Sequence, residues 1–195
     1  MQRNTPQHGV GPVYRADTTT VARSPRIVVA SGMQGTGVSL IADILQRNTP
    51  TLSIVDGGSS WAGIAEACAG GFAKLIAVTT HDIVSVTSTY ALVKMVRDRF
   101  PGSSIEVLVN FSETRDALKT YERIQTAASH FLRETVSYAG AVPDDRLPDG
   151  EDHIGTMIGD TAECAIQDLA YRLDEELTAV EARTAGRPFG RRMIQ

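Results

Sequence analysis

The sequence predicts a single doubly wound α/β domain, a parallel five-stranded sheet with helices on both faces. Three observations predict it. Short β-branched apolar runs alternate with amphipathic helical stretches along the chain. Those runs are almost continuously apolar, as strands read when crossover helices bury both faces of a parallel sheet. A glycine-rich turn separates the first run from the first helix, and 195 residues suffice for one such domain and its core.

The elements follow in order. "RIVVA" (26–30) is the first strand, and "SGMQGTGVSL" carries it into a helix over 39–48. "TLSIVD" (51–56) is the second strand, followed by a helix over 61–70; "KLIAVT" (74–79) is the third, followed by a helix over 84–100. "SIEVLVN" (104–110) is the fourth, followed by a helix over 113–133, and "VSYAGAV" (136–142) is the fifth. A last helix over 157–183 spaces Ile158, Ala162, Ile166, Leu169, Leu173, Leu177 and Val180 at three- and four-residue steps, a stripe suited to docking on the sheet. Residues 1–25, rich in Thr, Pro, Gly and Gln without periodicity, read as a disordered leader. The domain is therefore expected over 26–183, with a flexible basic tail over 184–195.

Composition narrows the function classes. Apolar content of 42% and charged content of 22% are those of a soluble globular protein, and no apolar run approaches the ~20 residues that span a bilayer. The N-terminus lacks the apolar core of a secretory signal, so a cytoplasmic location is expected. A net charge of −4 argues against a nucleic-acid partner. Cys68 and Cys164 sit in apolar helical contexts and read as buried free thiols, and His8, His81, His130 and His153 lack ligand spacing, so no structural metal is expected.

Chemistry is expected at the carboxyl ends of the strands, where open α/β sheets bind ligands. The first end keeps the phosphate-loop frame G-x-x-x-x-G-K-[ST] at Gly32, Gly37 and Ser39, with Gly35 and Thr36 inside it and Val38 in the lysine slot. Backbone N–H groups of such a loop converge on an anion at a helix N-terminus, and Ser39 stands where a hydroxyl would ligate Mg²⁺. Asp56, before Gly57 and Gly58, is the acidic candidate for the same magnesium, although a turn or capping aspartate reads identically. Asn110 could offer its amide to a base edge, and Pro143 could wall a base or simply end a strand.

"VTTHDIVSVTSTYALVKMV" (78–96) is similar to the V-T-T-P-E-P-T-S-I-T-D-A-Y-A-L-I-K segment of the FlhG-like flagellar-number regulators, within the MinD/ParA class of deviant phosphate-loop ATPases. Thr79, Thr80, Ser85, Thr87, Tyr90, Ala91, Leu92 and Lys94 match, and "LVN" (108–110), "HFL" (130–132) and "YAGAVPDD" (138–145) follow with similar spacing. The resemblance spans about residues 26–145. It implies a sheet order of 2-1-3-4-5, because the glycine-rich and acidic strand ends must meet at one magnesium site. It further implies ATP or ADP with Mg²⁺ as ligand, a protein partner such as a flagellar GTPase or basal-body component, and a homodimer as an option.

The departures bear on activity. Where the family's K-G-G-x-G-K-[ST] loop carries two lysines, this chain has Met33 and Val38, and the family's water-positioning aspartate has no counterpart. A charge-assisted hydrogen bond contributes about 1.5–3 kcal/mol, so the missing phosphate lysine weakens binding by roughly 10- to 150-fold. Each preorganised donor to a transition state is worth ~10²–10³ in rate, so hydrolysis is expected to be weak or absent. The expectation is a degenerate member acting as a non-hydrolysing regulator or scaffold in flagellar assembly, number or placement. The alternative is an active ATP-dependent switch with a lysine-less loop. MinD-like proteins often end in a membrane-attaching amphipathic segment, but Gly186, Pro188 and Gly190 break any helix across this chain's tail, so membrane contact is not expected.

Overall fold

The structure is a computed structural model that describes residues 25–145 and 159–185, with the side chains of the last helix described to Val180. Five strands, β1 (Arg26–Ser31), β2 (Ser53–Gly58), β3 (Lys74–Thr79), β4 (Ser104–Asn110) and β5 (Ser137–Val142), form one parallel sheet in the order β2-β1-β3-β4-β5. The helices are α1 (Val38–Asn48), α2 (Trp61–Ala69), α3 (Ile83–Arg99), α4 (Thr114–Ala127) and α5 (Asp160–Ala185). The fold class and strand order expected from sequence are therefore those of the molecule.

Strand alternation divides the core in two. Ile27, Val29, Ile76 and Val78 face α1 and α5, while Val28, Ala30, Leu75 and Ala77 face α2, α3 and α4. β1, β3 and β4 are buried on both faces, which is why they read as nearly unbroken apolar runs.

Several details differ from the sequence reading. β2 does not stop at Asp56 but continues through two glycines to Gly58. A bulge makes this possible: Val29 faces Asp56 and Ala30 faces Gly58, with Gly57 skipped and Gly58 at a φ of 64°. The predicted helix over 113–133 changes character at Ala128, where a π-helical turn (Ala128–Leu132) widens it before Arg133 closes it in the left-handed conformation. α5 buries Ala162, Ile166, Leu169, Ala170, Leu173 and Leu177, but Val180 projects to solvent at 54% exposure. Cys68 is buried, whereas Cys164 is exposed, two residues beyond Ala162 and so on the far side of α5 from the stripe. The leader, the 186–195 end of the tail and Ile158 lie outside the described residues.

The polar residues of the segment 78–96 largely serve the fold itself. Asp82 caps α3, its Oδ1 accepting from the N–H groups of Val84 at 3.0 Å and Ser85 at 2.9 Å. The Thr80 hydroxyl donates to the other oxygen of Asp82, and the Ser85 hydroxyl accepts from Thr80 N at 2.9 Å and lies 3.0 Å from Thr79 Oγ1. The Thr80 hydroxyl and the Ser85 N–H hold the Asp82 carboxyl below its ordinary pKa. A lowered folded pKa stabilises at pH above the ordinary value, and that contribution is lost as pH falls through the folded value. Asp82→Ala is expected to cost about 1 kcal/mol at neutral pH. Thermal melts at neutral and acid pH check it: the gap between variant and parent should close in acid.

Candidate functional site

The first strand ends in a loop whose shape is set by glycines. Gly35 and Gly37 adopt φ of 79° and 83°, a region that costs other residues about 1–2 kcal/mol. Gly37 occupies the N-cap of α1, where no side chain accepts from the first turn and no acidic residue follows. The first N–H groups of a helix have no intrahelical acceptor, so the positive end of the α1 dipole is left open toward the loop.

A cavity of about 280 Å³ lies there. The loop and the first turn of α1, residues 33–40, form most of its wall, and Gly58 and Ser59 at the end of β2 complete it. Among the described residues, none in the wall carries a charge. Thr36, a wall residue, is 2% exposed, and its buried hydroxyl has no hydrogen-bond partner among the described residues. Met33 is steadied by a hydrogen bond of 3.3 Å from its N–H to Ser31 Oγ. A glycine-rich loop at an uncapped helix N-terminus is the kind of setting in which anions bind.

The candidate residues fall into three groups. Gly35, Thr36, Gly37, Val38 and Ser39 all line the cavity. Val38 is also 7% exposed and belongs to the core with Ile41 and Leu45, so the position that a phosphate-loop lysine would occupy is a packing position here. Gly32 stands behind the wall. A Cβ on it would overlap the Ser88 carbonyl and stand 2.8 Å from Ser88 Cβ, so α3 rests directly on the loop's first glycine.

Asp56 lies on the neighbouring strand, exposed, with Oδ1 accepting from Gly58 N at 2.8 Å, and is not part of the wall. Asn110, for which the sequence suggests contact with a base edge, is 4% exposed and turned inward. Its Nδ2 donates to the Thr36 carbonyl at 2.8 Å and its Oδ1 accepts from Phe111 N at 3.0 Å. A Cβ on Gly37 would sit 2.5 Å from Asn110 Nδ2 and 3.8 Å from Phe111 Cζ, and Phe111 itself holds a φ of 55°. Asn110 and Phe111 thus brace the loop from the side of β4. Pro143, half-buried just beyond β5, is also outside the wall. Two residues on, Asp145 Oδ2 accepts from Ala162 N at 2.9 Å in the first turn of α5.

Gly58, Ser59, Ser88 and Phe111 are parts of the site that the sequence reading missed. The Gly57-Gly58 pair before a serine-capped helix was the available signal for the first two, since a bulge brings a strand end toward its neighbour. Ser88 and Phe111 meet the loop only through tertiary packing.

Among the described residues, no helix is long and apolar enough to cross a membrane, and no cluster of three His, Cys, Asp or Glu side chains could hold a metal ion. No protein-family model and no curated protein matches the sequence. Among solved structures, the chain is similar to translation elongation factor SelB from Methanococcus maripaludis in its apo form, with 12% sequence identity and a TM-score of 0.49. The likeness covers 83% of this chain and 34% of that one, so the chain spans about a third of that protein's length.

Proposed function

We propose that the protein is a non-hydrolysing phosphate-loop regulator, which holds the phosphates of ADP or ATP with Mg²⁺ against the backbone of residues 33–40 and presents that state to a protein partner. The observation that carries the reading is the open, uncapped N-terminus of α1 behind a glycine nest with no cation in its wall. Backbone donors and a helix dipole suffice to bind phosphate, whereas turnover also needs cations and a water-positioning group at the transition state. The residues present suit magnesium as a companion of the phosphates. Ser39 is exposed in the wall, and Asp56 is exposed with one oxygen taken by Gly58 N–H. Mg²⁺ commonly keeps several waters and takes one or two carboxylates plus substrate phosphates. The FlhG-like character of residues 78–96 supports a partner in flagellar assembly or placement, a flagellar GTPase or a basal-body component.

Mg²⁺-ADP is expected to raise the melting temperature, and ATP turnover is expected to stay at the level of Gly37→Val, which forces a branched side chain onto Asn110 and a φ of 83°. Val38→Lys is expected to tighten ADP binding by about tenfold, the lower end of the charge-assisted range, because the lysine stem must leave a core position. Titration calorimetry checks the affinity. Turnover that Asp56→Ala abolishes would instead favour an active ATP-dependent switch.

A further inference from the structure

Resting on the reading above, we infer that the site recognises a diphosphate group and reads no base: its ligands are Mg²⁺-bound pyrophosphate-bearing molecules, with adenine, guanine or no base at all accepted alike. Three observations carry this. The cavity is an open depression of about 280 Å³ whose wall, among the described residues, is confined to the loop, the first turn of α1 and the end of β2. That space fits a phosphate chain. Thr36, one of the wall residues, is 2% exposed, and its buried hydroxyl has no hydrogen-bond partner among the described residues.

The second observation concerns Asn110. An amide that reads a base edge must be free to turn a donor or an acceptor outward. Here Nδ2 donates to the Thr36 carbonyl, Oδ1 accepts from Phe111 N, and the residue is 4% exposed, so the amide is held against the loop. Releasing it to a base would unbrace the loop that holds the phosphates. The third is the end of β5. Pro143 is outside the wall, and the chain just after it is drawn to α5, where Asp145 accepts from Ala162 N and its carboxylate lies 2.6 Å from where a Cβ on Gly159 would stand.

Titration calorimetry of the full chain with Mg²⁺-pyrophosphate, Mg²⁺-ADP and Mg²⁺-GDP tests the inference. Affinities within about threefold of one another are expected, because even two hydrogen bonds to a base would separate the ligands by about tenfold or more. A preference of tenfold or more for either nucleotide over pyrophosphate overturns the inference while leaving the phosphate site in place. Binding by none of the three overturns the phosphate site itself. Asn110→Ser supplies the second arm: it is expected to weaken all three ligands by the same factor, through the loop. Selective loss of one nucleotide would show that Asn110 reads its base.

Discussion

Replacing Glu106 with alanine is expected to lower the unfolding free energy by about 3–5 kcal/mol and the melting temperature by roughly 10 °C. Glu106, near the start of β4, is 5% exposed and lies beside Lys74, the first residue of β3, itself 6% exposed. Lys74 Nζ contacts Glu106 Oε1 and lies 2.6 Å from Glu176 Oε2, while Arg172 donates to Glu106 Oε2 at 2.9 Å and to Glu176 Oε1 at 2.8 Å. The four charges close a ring that ties two central strands to α5, and Arg172 adds a bond of 3.2 Å to the Ala139 carbonyl on β5. Removing one anion leaves Lys74 buried with half its partners, and an uncompensated buried cation is far costlier than the pair is favourable. The double variant Lys74→Met, Glu106→Leu is expected to recover most of the loss, because Arg172 and Glu176 still face each other and the rest of the site becomes apolar. Urea unfolding of both variants checks this, and a double variant as unstable as the single would sink it. Although burial opposes it, hydrogen bonds from Lys74 and Arg172 bring the Glu176 carboxyl below its ordinary pKa. That contribution is therefore present above the ordinary value and lost as pH falls through the lowered one.

Gly32→Ala is expected to be nearly as severe, at about 3 kcal/mol. The added methyl would overlap the Ser88 carbonyl, which is helix backbone and cannot rotate away as a flexible side chain would. Overpacking of this kind typically costs about 1–3 kcal/mol, and a backbone obstacle puts it at the upper end. Gly35→Ala is the control. It has the same kind of loop position and an unfavourable φ of 79°, but open space around its Cβ, so only the backbone term of about 1–2 kcal/mol applies. Melts of the two variants should therefore separate clearly; equal losses would mean that α3 does not rest on the loop as described.

The sheet was legible because its three inner strands are buried on both faces, and an apolar run such as "KLIAVT" needs no partner to be read. The loop was legible for a related reason: Gly35 and Gly37 serve a backbone conformation that few other residues adopt. What escaped the sequence depends on residues far apart along it. Asn110 turns inward to a carbonyl 74 positions away, and nothing local says whether a strand-ending amide faces ligand or protein. The Lys74 and Glu106 charges sit in strands that otherwise read as core, and their partners lie 102 and 66 positions further on. The β2 extension escaped because glycine weakens a strand pattern even where a bulge makes use of it.

The way α5 closes the molecule sets an order on its synthesis. Chains emerge from the ribosome N-terminus first, at about 5–20 residues per second. β1, β2 and β3 can therefore pair, and α2 and α3 can cover one side, while the other side has only α1 against it. Ile76, Val78 and Leu108 share their half of the core with Ile166, Leu169 and Leu173, which are made about 60 or more residues later. Until those residues appear, a nascent chain carries an open hydrophobic sheet face and unpaired Lys74 and Glu106. Chains interrupted before residue 160 would keep that face and are the species expected to engage chaperones or aggregate, so α5 is the element that closes this half of the core.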